Sequence, residues 1–186
     1  MSLDLVWWSG VAAIVAGVMY VLTGIINLFN PQKPMFISFS DYLIEAMFVV
    51  ALLGTLVTIT GLHGLHRDRY GGLGMAGFLT AFAGTTLLLV AAVTTALAGR
   101  EVLGAVFLMG FLATLVGLVL LGAAVLRAGV LPSWCGVLLL AGFPLSMILD
   151  VLANVGGELL GVVWTLVGYA LLSNGEAPTR QPPRVR

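Results

Sequence analysis

Three carboxylates interrupt otherwise apolar stretches of this sequence: Glu45, Asp150 and Glu158. Glu45 is followed by Ala-Met-Phe-Val-Val, Asp150 lies between Met-Ile-Leu and Val-Leu, and Glu158 precedes Leu-Leu-Gly-Val-Val. A charge at the centre of a bilayer costs about 2.5–3.5 kcal/mol on insertion scales and less near the interface. Such carboxylates could hold a hard cation or an ammonium group, or carry a proton for exchange.

Other polar side chains fall at the same depth once the membrane topology is drawn. Asp150 and Asn154 are spaced i, i+4 and would share a helix face if the helix continues between them. We predict an outward-facing polar vestibule through which the protein binds or transports a small molecule, a lipid or a cation. Its expected ligand-binding residues are Glu45, Asp150, Glu158, Asn27, Asn154 and Asp41.

A purely structural explanation of the same acids competes with the vestibule. Acids are favoured at helix N-termini, which suits Asp41, Glu45 and Glu158. Ser38-x-x-Asp41 also matches a capping box, which places a helix start at this point. Asp150 would then simply end a helix in contact with water.

The two histidines form a weak candidate metal site. His63 and His66 are spaced i, i+3, a spacing that can chelate a metal or join a di-iron site. Further ligands are required, and only Asp68 is near in sequence. The alternative is a pair at the membrane interface beside Arg67 and Arg69, which would face lipid phosphates.

No motif predicts an enzyme or a cofactor. The signatures GxSxG, Walker A, HExxH and GxGxxG are absent. Cys135 is the only cysteine, which excludes an intrachain disulfide and CxxC redox chemistry. Eight acids balance eight Lys and Arg residues, so no basic excess indicates a nucleic acid partner.

The composition indicates that most of the chain lies in a lipid bilayer. Of 186 residues, 60% are apolar and 9% are charged, and the mean hydropathy is +1.13. Soluble domains carry about 25% charged and about 45–50% apolar residues. These values exclude a soluble globule, a disordered chain and a disulfide scaffold. They are typical of small polytopic membrane proteins of bacteria.

Six apolar runs are long enough to cross a hydrocarbon core of about 30 Å. We predict an all-α, polytopic integral membrane protein, a compact bundle of six transmembrane helices in one domain over residues 1–173. The expected spans are about 5–29, 42–63, 72–98, 103–126, 133–152 and 155–172. Residues 174–186 should form a disordered, basic, Pro-rich cytoplasmic tail.

The break between the last two spans is the least marked. Asp150, Asn154 and the pair Gly156-Gly157 indicate it, and no long loop separates the runs. In a five-crossing alternative, Pro132 to Leu172 would form one bent or re-entrant unit.

The distribution of Lys and Arg predicts the orientation. With six spans, one side carries six basic residues and the other carries two, Lys33 and Arg100. The positive-inside rule then places both termini in the cytoplasm of a cell membrane protein. The start Met1-Ser2-Leu3-Asp4 has no positive region, so we expect no cleaved signal peptide.

Glycines recur at seven-residue spacing and predict closely packed helix faces. The series are Gly10–Gly17–Gly24, Gly54–Gly61 and Gly110–Gly117. A GFLxxxxG pattern also occurs twice, starting at Gly77 and at Gly110, which chance or a duplication could explain. We expect close packing within the chain. The alternative is that these faces mediate homo-oligomerisation. The protein would then be a non-catalytic assembly subunit and not a binding or transport protein.

Overall fold

The computed structural model describes residues 3–29, 35–153 and 155–175, and almost all of them are helical. The helices are α1 (Leu3–Phe29), α2 (Phe39–His66), α3 (Gly71–Ala98), α4 (Gly104–Ala128), α5 (Ser133–Ala153) and α6 (Gly156–Gly175). Each is long and apolar enough to cross a membrane. The predicted six-helix bundle is therefore confirmed, and α5 and α6 are separate helices. The predicted tail lies outside the described residues from position 176 onward.

Helix α2 extends by about one turn beyond the predicted span at either end. At its start, Oδ2 of Asp41 accepts hydrogen bonds from the backbone N–H groups of Ile37 and Ser38, both at 2.9 Å. At its end, the carbonyl of His66 accepts a hydrogen bond from the N–H of Tyr70 at 3.2 Å. The capping interaction predicted for Asp41 thus fixes where the helix begins.

The six helices form a closed ring in chain order. Each helix packs against its neighbours in the sequence, and α1 packs against α6 to complete the ring. We call the end with the α1–α2, α3–α4 and α5–α6 connections the acidic end, because Asp41, Glu101 and Asp150 lie there. The opposite end, with Arg67 and Arg127, is the basic end.

Glycine faces bring α1 and α6 into close contact. A Cβ atom at Gly17 would lie 2.5 Å from the carbonyl oxygen of Gly161, and one at Gly161 would lie 2.5 Å from that of Gly17. Further along the seam, a Cβ atom at Gly168 would lie 2.7 Å from the carbonyl oxygen of Gly10. The glycine series of α1 is thus used in packing within the chain, as the sequence predicts.

The repeated GFLxxxxG pattern marks the contact between α3 and α4. A Cβ atom at Gly84 would lie 2.7 Å from the carbonyl oxygen of Gly110, and the reverse distance is 2.8 Å. Gly77 and Gly117 also lie close to the backbone of the facing helix, Gly77 against Leu121 and Gly117 against Ala81. Because the helices are antiparallel, the two copies face each other, which gives the repeat a packing reason.

The basic half of the ring is filled by apolar side chains. Trp164 is only 1% exposed, and Leu121, Leu139 and Val167 are fully or almost fully buried around the same axis. The outer surface carries exposed Leu, Val and Phe side chains on every helix, as a surface that faces lipid tails requires. The acidic half differs because its centre is open.

Candidate functional site

A cavity of about 710 Å³ occupies the acidic half of the ring. All six helices contribute to its wall, from Leu52 of α2 and Phe143 of α5 at its base to Asp41 and Asp150 near its mouth. Small-molecule sites span about 300–1,000 Å³, so the volume suits a ligand of that class. The buried layer around Trp164 separates the cavity from the basic end.

Four acids line this cavity, and three of them are predicted vestibule residues. Asp41, Glu45 and Asp150 were expected there, and Asn27 joins them from α1. Glu101, which the sequence placed on the same side without assigning it to the site, is the fourth acid. Among the described residues, Glu45, Glu101 and Asp150 form no ion pair. The mouth is therefore negatively charged.

Helix capping explains the position of Asp41 better than it explains that of Glu45. Asp41 is 7% exposed, and its Oδ2 is engaged by two backbone N–H groups at the start of α2. Glu45 lies one turn deeper, is half-buried, and faces the cavity with no hydrogen bond in the described chain. Capping accounts for Asp41, while Glu45 remains available to a ligand.

Two predicted site residues are not placed in the cavity wall. The carboxyl carbon of Glu158 lies 2.7 Å from where a Cβ atom at Gly24 would stand, so this side chain is in the α1–α6 seam. Asn154 lies outside the described residues, and its shared face with Asp150 stays a prediction.

A chain of aromatic rings runs along the wall of the cavity. Ring centroids are 6.1 Å apart between Tyr20 and Phe48, and 6.3 Å apart between Phe48 and Phe107. The series continues from Phe107 to Phe111 at 6.5 Å and from Phe111 to Phe143 at 5.2 Å. These rings come from four helices, and sequence reasoning missed them because only Phe107 and Phe111 share a helix, so spacing within a helix does not link the others.

The connections at the acidic end contact each other beside the mouth. The backbone N–H of Phe36 donates to the carbonyl of Gly99 at 2.9 Å, and Met35 forms an isolated antiparallel bridge with Arg100. The ring of Phe36 meets that of Tyr42 edge-on at 5.1 Å. The described end of the α1–α2 connection, from Met35 onward, thus packs against the α3–α4 hairpin, and Phe36 lines the cavity.

The predicted histidine pair lies at the basic end, far from the cavity. Nδ1 of His66 lies 2.8 Å from the carbonyl of Leu62, so it carries a proton and donates, and this ring is fully buried. His63 stacks on Phe78 and forms a hydrogen bond through Nδ1 with the hydroxyl of Tyr70. Burial raises the pKa of Tyr70 to about 12, so its hydroxyl is neutral at physiological pH.

These contacts give the histidines a packing role at the junction of α2 and α3. Over the described ranges, no three His, Cys, Asp or Glu residues group together as metal ligands would. The metal hypothesis for His63 and His66 gains no further ligand and stays a prediction.

The ring and its cavity define the class: a multi-pass membrane protein whose six helices enclose a space open at one end. No protein-family model, curated protein or solved structure matches the chain.

Proposed function

We propose that this protein binds a small amphipathic cation, with one positive group and an apolar body, in the cavity at its acidic end. One observation carries the proposal: Glu45, Glu101 and Asp150, which form no ion pair within the described residues, line the same space as a continuous aromatic wall. Carboxylates attract the positive group. A cation over an aromatic face gains about 0.5–2 kcal/mol, more when it is removed from water.

The proposal includes the orientation in the cell membrane. The acidic end faces outward and both termini lie in the cytoplasm, because six Lys and Arg residues fall on one side and two on the other. The ligand then enters from outside the cell. Transport would additionally require the buried layer around Trp164 to rearrange, since it fills the basic half in this conformation.

The assembly subunit is the second candidate function, and the glycine geometry disfavours it. A Cβ atom at Gly54 would lie 2.7 Å from the backbone of α1, and the glycine series of α1 and α4 also pack on helices of the same chain. These faces are therefore occupied before a partner could use them.

The binding proposal is tested with two ions of nearly equal shape and opposite charge, tetraphenylphosphonium and tetraphenylborate. Each is titrated into the detergent-purified protein and followed by native mass spectrometry. We expect one phosphonium ion per chain, and at least about tenfold weaker binding of the borate. Glu45→Gln should weaken phosphonium binding about tenfold, which corresponds to about 1.4 kcal/mol for the loss of one partly buried charge.

Asp68→Asn is the matched control, because Asp68 is an exposed acid at the basic end, paired with Arg67 at 3.6 Å. It should leave binding unchanged. Equal binding of the two ions, or an equal response to both substitutions, would contradict the proposal.

A further inference from the structure

The α1–α6 seam near the acidic end contains buried side-chain oxygens that lack hydrogen-bond partners. They are Oγ1 of Thr23, Oδ1 of Asn27 and both carboxylate oxygens of Glu158. In the described part of the chain, the only other buried side-chain atom of this kind is Nε2 of His66. Native proteins leave few buried polar groups unpaired, so four such oxygens in one seam require an explanation.

Two glycines place the carboxylate of Glu158 against α1. A Cβ atom at Gly157 would lie 3.2 Å from the Cα atom of Gly24, which shows how closely the two helices approach. Both Glu158 oxygens lie within 3.0 Å of the Cβ position of Gly24. Thr23 and Asn27 flank Gly24 on α1 and are spaced i, i+4, so their side chains share one face of that helix.

Helix capping does not account for this carboxylate. Glu158 lies in the first turn of α6, where an acid commonly accepts hydrogen bonds from free backbone N–H groups. Neither of its oxygens accepts one. Thr23 is 8% exposed and its hydroxyl oxygen is also unpaired. A buried, ionised carboxylate without a partner is strongly disfavoured, so a positive charge must accompany it.

We propose that Thr23, Asn27 and Glu158 bind one alkali cation, Na⁺ or K⁺, in the α1–α6 seam. All four atoms are hard oxygen ligands, which suit alkali and alkaline-earth ions and not the transition metals that prefer nitrogen or sulfur. A single carboxylate balances a single positive charge, whereas divalent sites usually combine several carboxylates.

A proton explains the same atoms less completely. It would neutralise Glu158, but the resulting O–H could donate to only one acceptor and would leave other oxygens unpaired. A metal cation differs in that it can coordinate several oxygen atoms at once. Thr23 and Asn27 also line the cavity, which gives the ion a route to the seam. The proposal does not depend on what the cavity itself binds.

The test is thermal unfolding of the purified full chain in NaCl, KCl or N-methyl-D-glucamine chloride at equal ionic strength and pH. Ligand binding at about 100 times Kd should raise the Tm by on the order of 5 °C, and the rise should saturate. Glu158→Gln keeps the shape of the side chain and should abolish the response. Thr23→Val should raise the half-saturating ion concentration about tenfold.

Asp68→Asn is the control, since it removes an exposed acid at the basic end, away from both the seam and the cavity, and should retain the full response. The proposal is overturned if the three salts give the same Tm for the wild type, or if Glu158→Gln still responds. It is also overturned if stability depends on pH through Glu158 without any response to Na⁺ or K⁺. If Glu158→Gln does not fold, Thr23→Val and equilibrium dialysis of radioactive Na⁺ with the wild type decide the question.

Discussion

At the scale of single residues, four acids near one level of the bundle have four different environments. Asp41 accepts backbone hydrogen bonds at the start of α2, and Glu45 faces the cavity. Asp150 is exposed at the mouth, while Glu158 is directed into the seam against α1. The depth of an acid in the bundle therefore does not determine its role. The direction of its side chain does.

The aromatic wall leads to a prediction for Phe111, whose ring lies 5.2 Å from Phe143. Phe111→Leu keeps an apolar side chain of similar size but removes the negative ring face. We expect phosphonium binding to weaken about threefold to tenfold, as the loss of one cation–π contact implies. Phe82→Leu, on the outer surface, is the control in the same titration and should have no effect. Equal weakening by both variants would argue against a ligand in the cavity.

At the scale of helices, glycine spacing selects which pairs approach most closely. In both the α1–α6 and the α3–α4 seams, a glycine carbonyl oxygen lies only 2.5–2.8 Å from where a Cβ atom would stand on the facing glycine. Short backbone distances of this kind are typical of helix contacts in membranes, where van der Waals packing replaces the hydrophobic effect. The α1–α6 seam is also what closes the ring.

The seam therefore predicts that Gly17→Ala destabilises the monomer. The added methyl group would lie 2.5 Å from the carbonyl oxygen of Gly161, and the backbone would have to shift. We expect a loss of about 1–3 kcal/mol, measured by unfolding in SDS with tryptophan fluorescence. Gly72→Ala is the control, because that position is open, and it should stabilise α3 by up to about 1 kcal/mol. Loss of an oligomer with unchanged monomer stability would instead favour the assembly subunit.

At the scale of the whole molecule, the ring is asymmetric along its axis. The predicted outer side carries five acids and two bases, a net charge of −3, and the other side carries the opposite net charge. The cavity opens at the acidic end, while the basic half is filled by apolar side chains. Charge and open space thus coincide at one end, which is the basis of the proposed cation binding.

The proposed orientation predicts which loops react with a membrane-impermeant maleimide on intact cells. Val102→Cys, in the α3–α4 connection, should be labelled from outside. Asp68→Cys, in the α2–α3 connection, should be labelled only after the cells are opened. The wild type is the control, because its single Cys135 is fully buried. If only the Asp68→Cys variant is labelled on intact cells, the protein has the opposite orientation.

Several features were determined by the sequence itself because they depend on local composition and length. Apolar runs of sufficient length predicted six spans, and the Ser38-x-x-Asp41 pattern located the start of α2. Glycine spacing predicted tight faces, since a helix places residues seven apart on one side. The approximate depth of each acid followed from its distance to the end of its span.

The tertiary structure decided which side chains share one space. The aromatic wall joins Tyr20 to Phe143, and the seam joins Gly24 to Glu158, across more than a hundred residues of chain. Such contacts depend on which helices are neighbours and on how each is rotated about its own axis. When helices are apolar on nearly every face, hydrophobic periodicity carries little information about that rotation. The sequence could therefore place Glu158 at the right depth but could not place it in the seam.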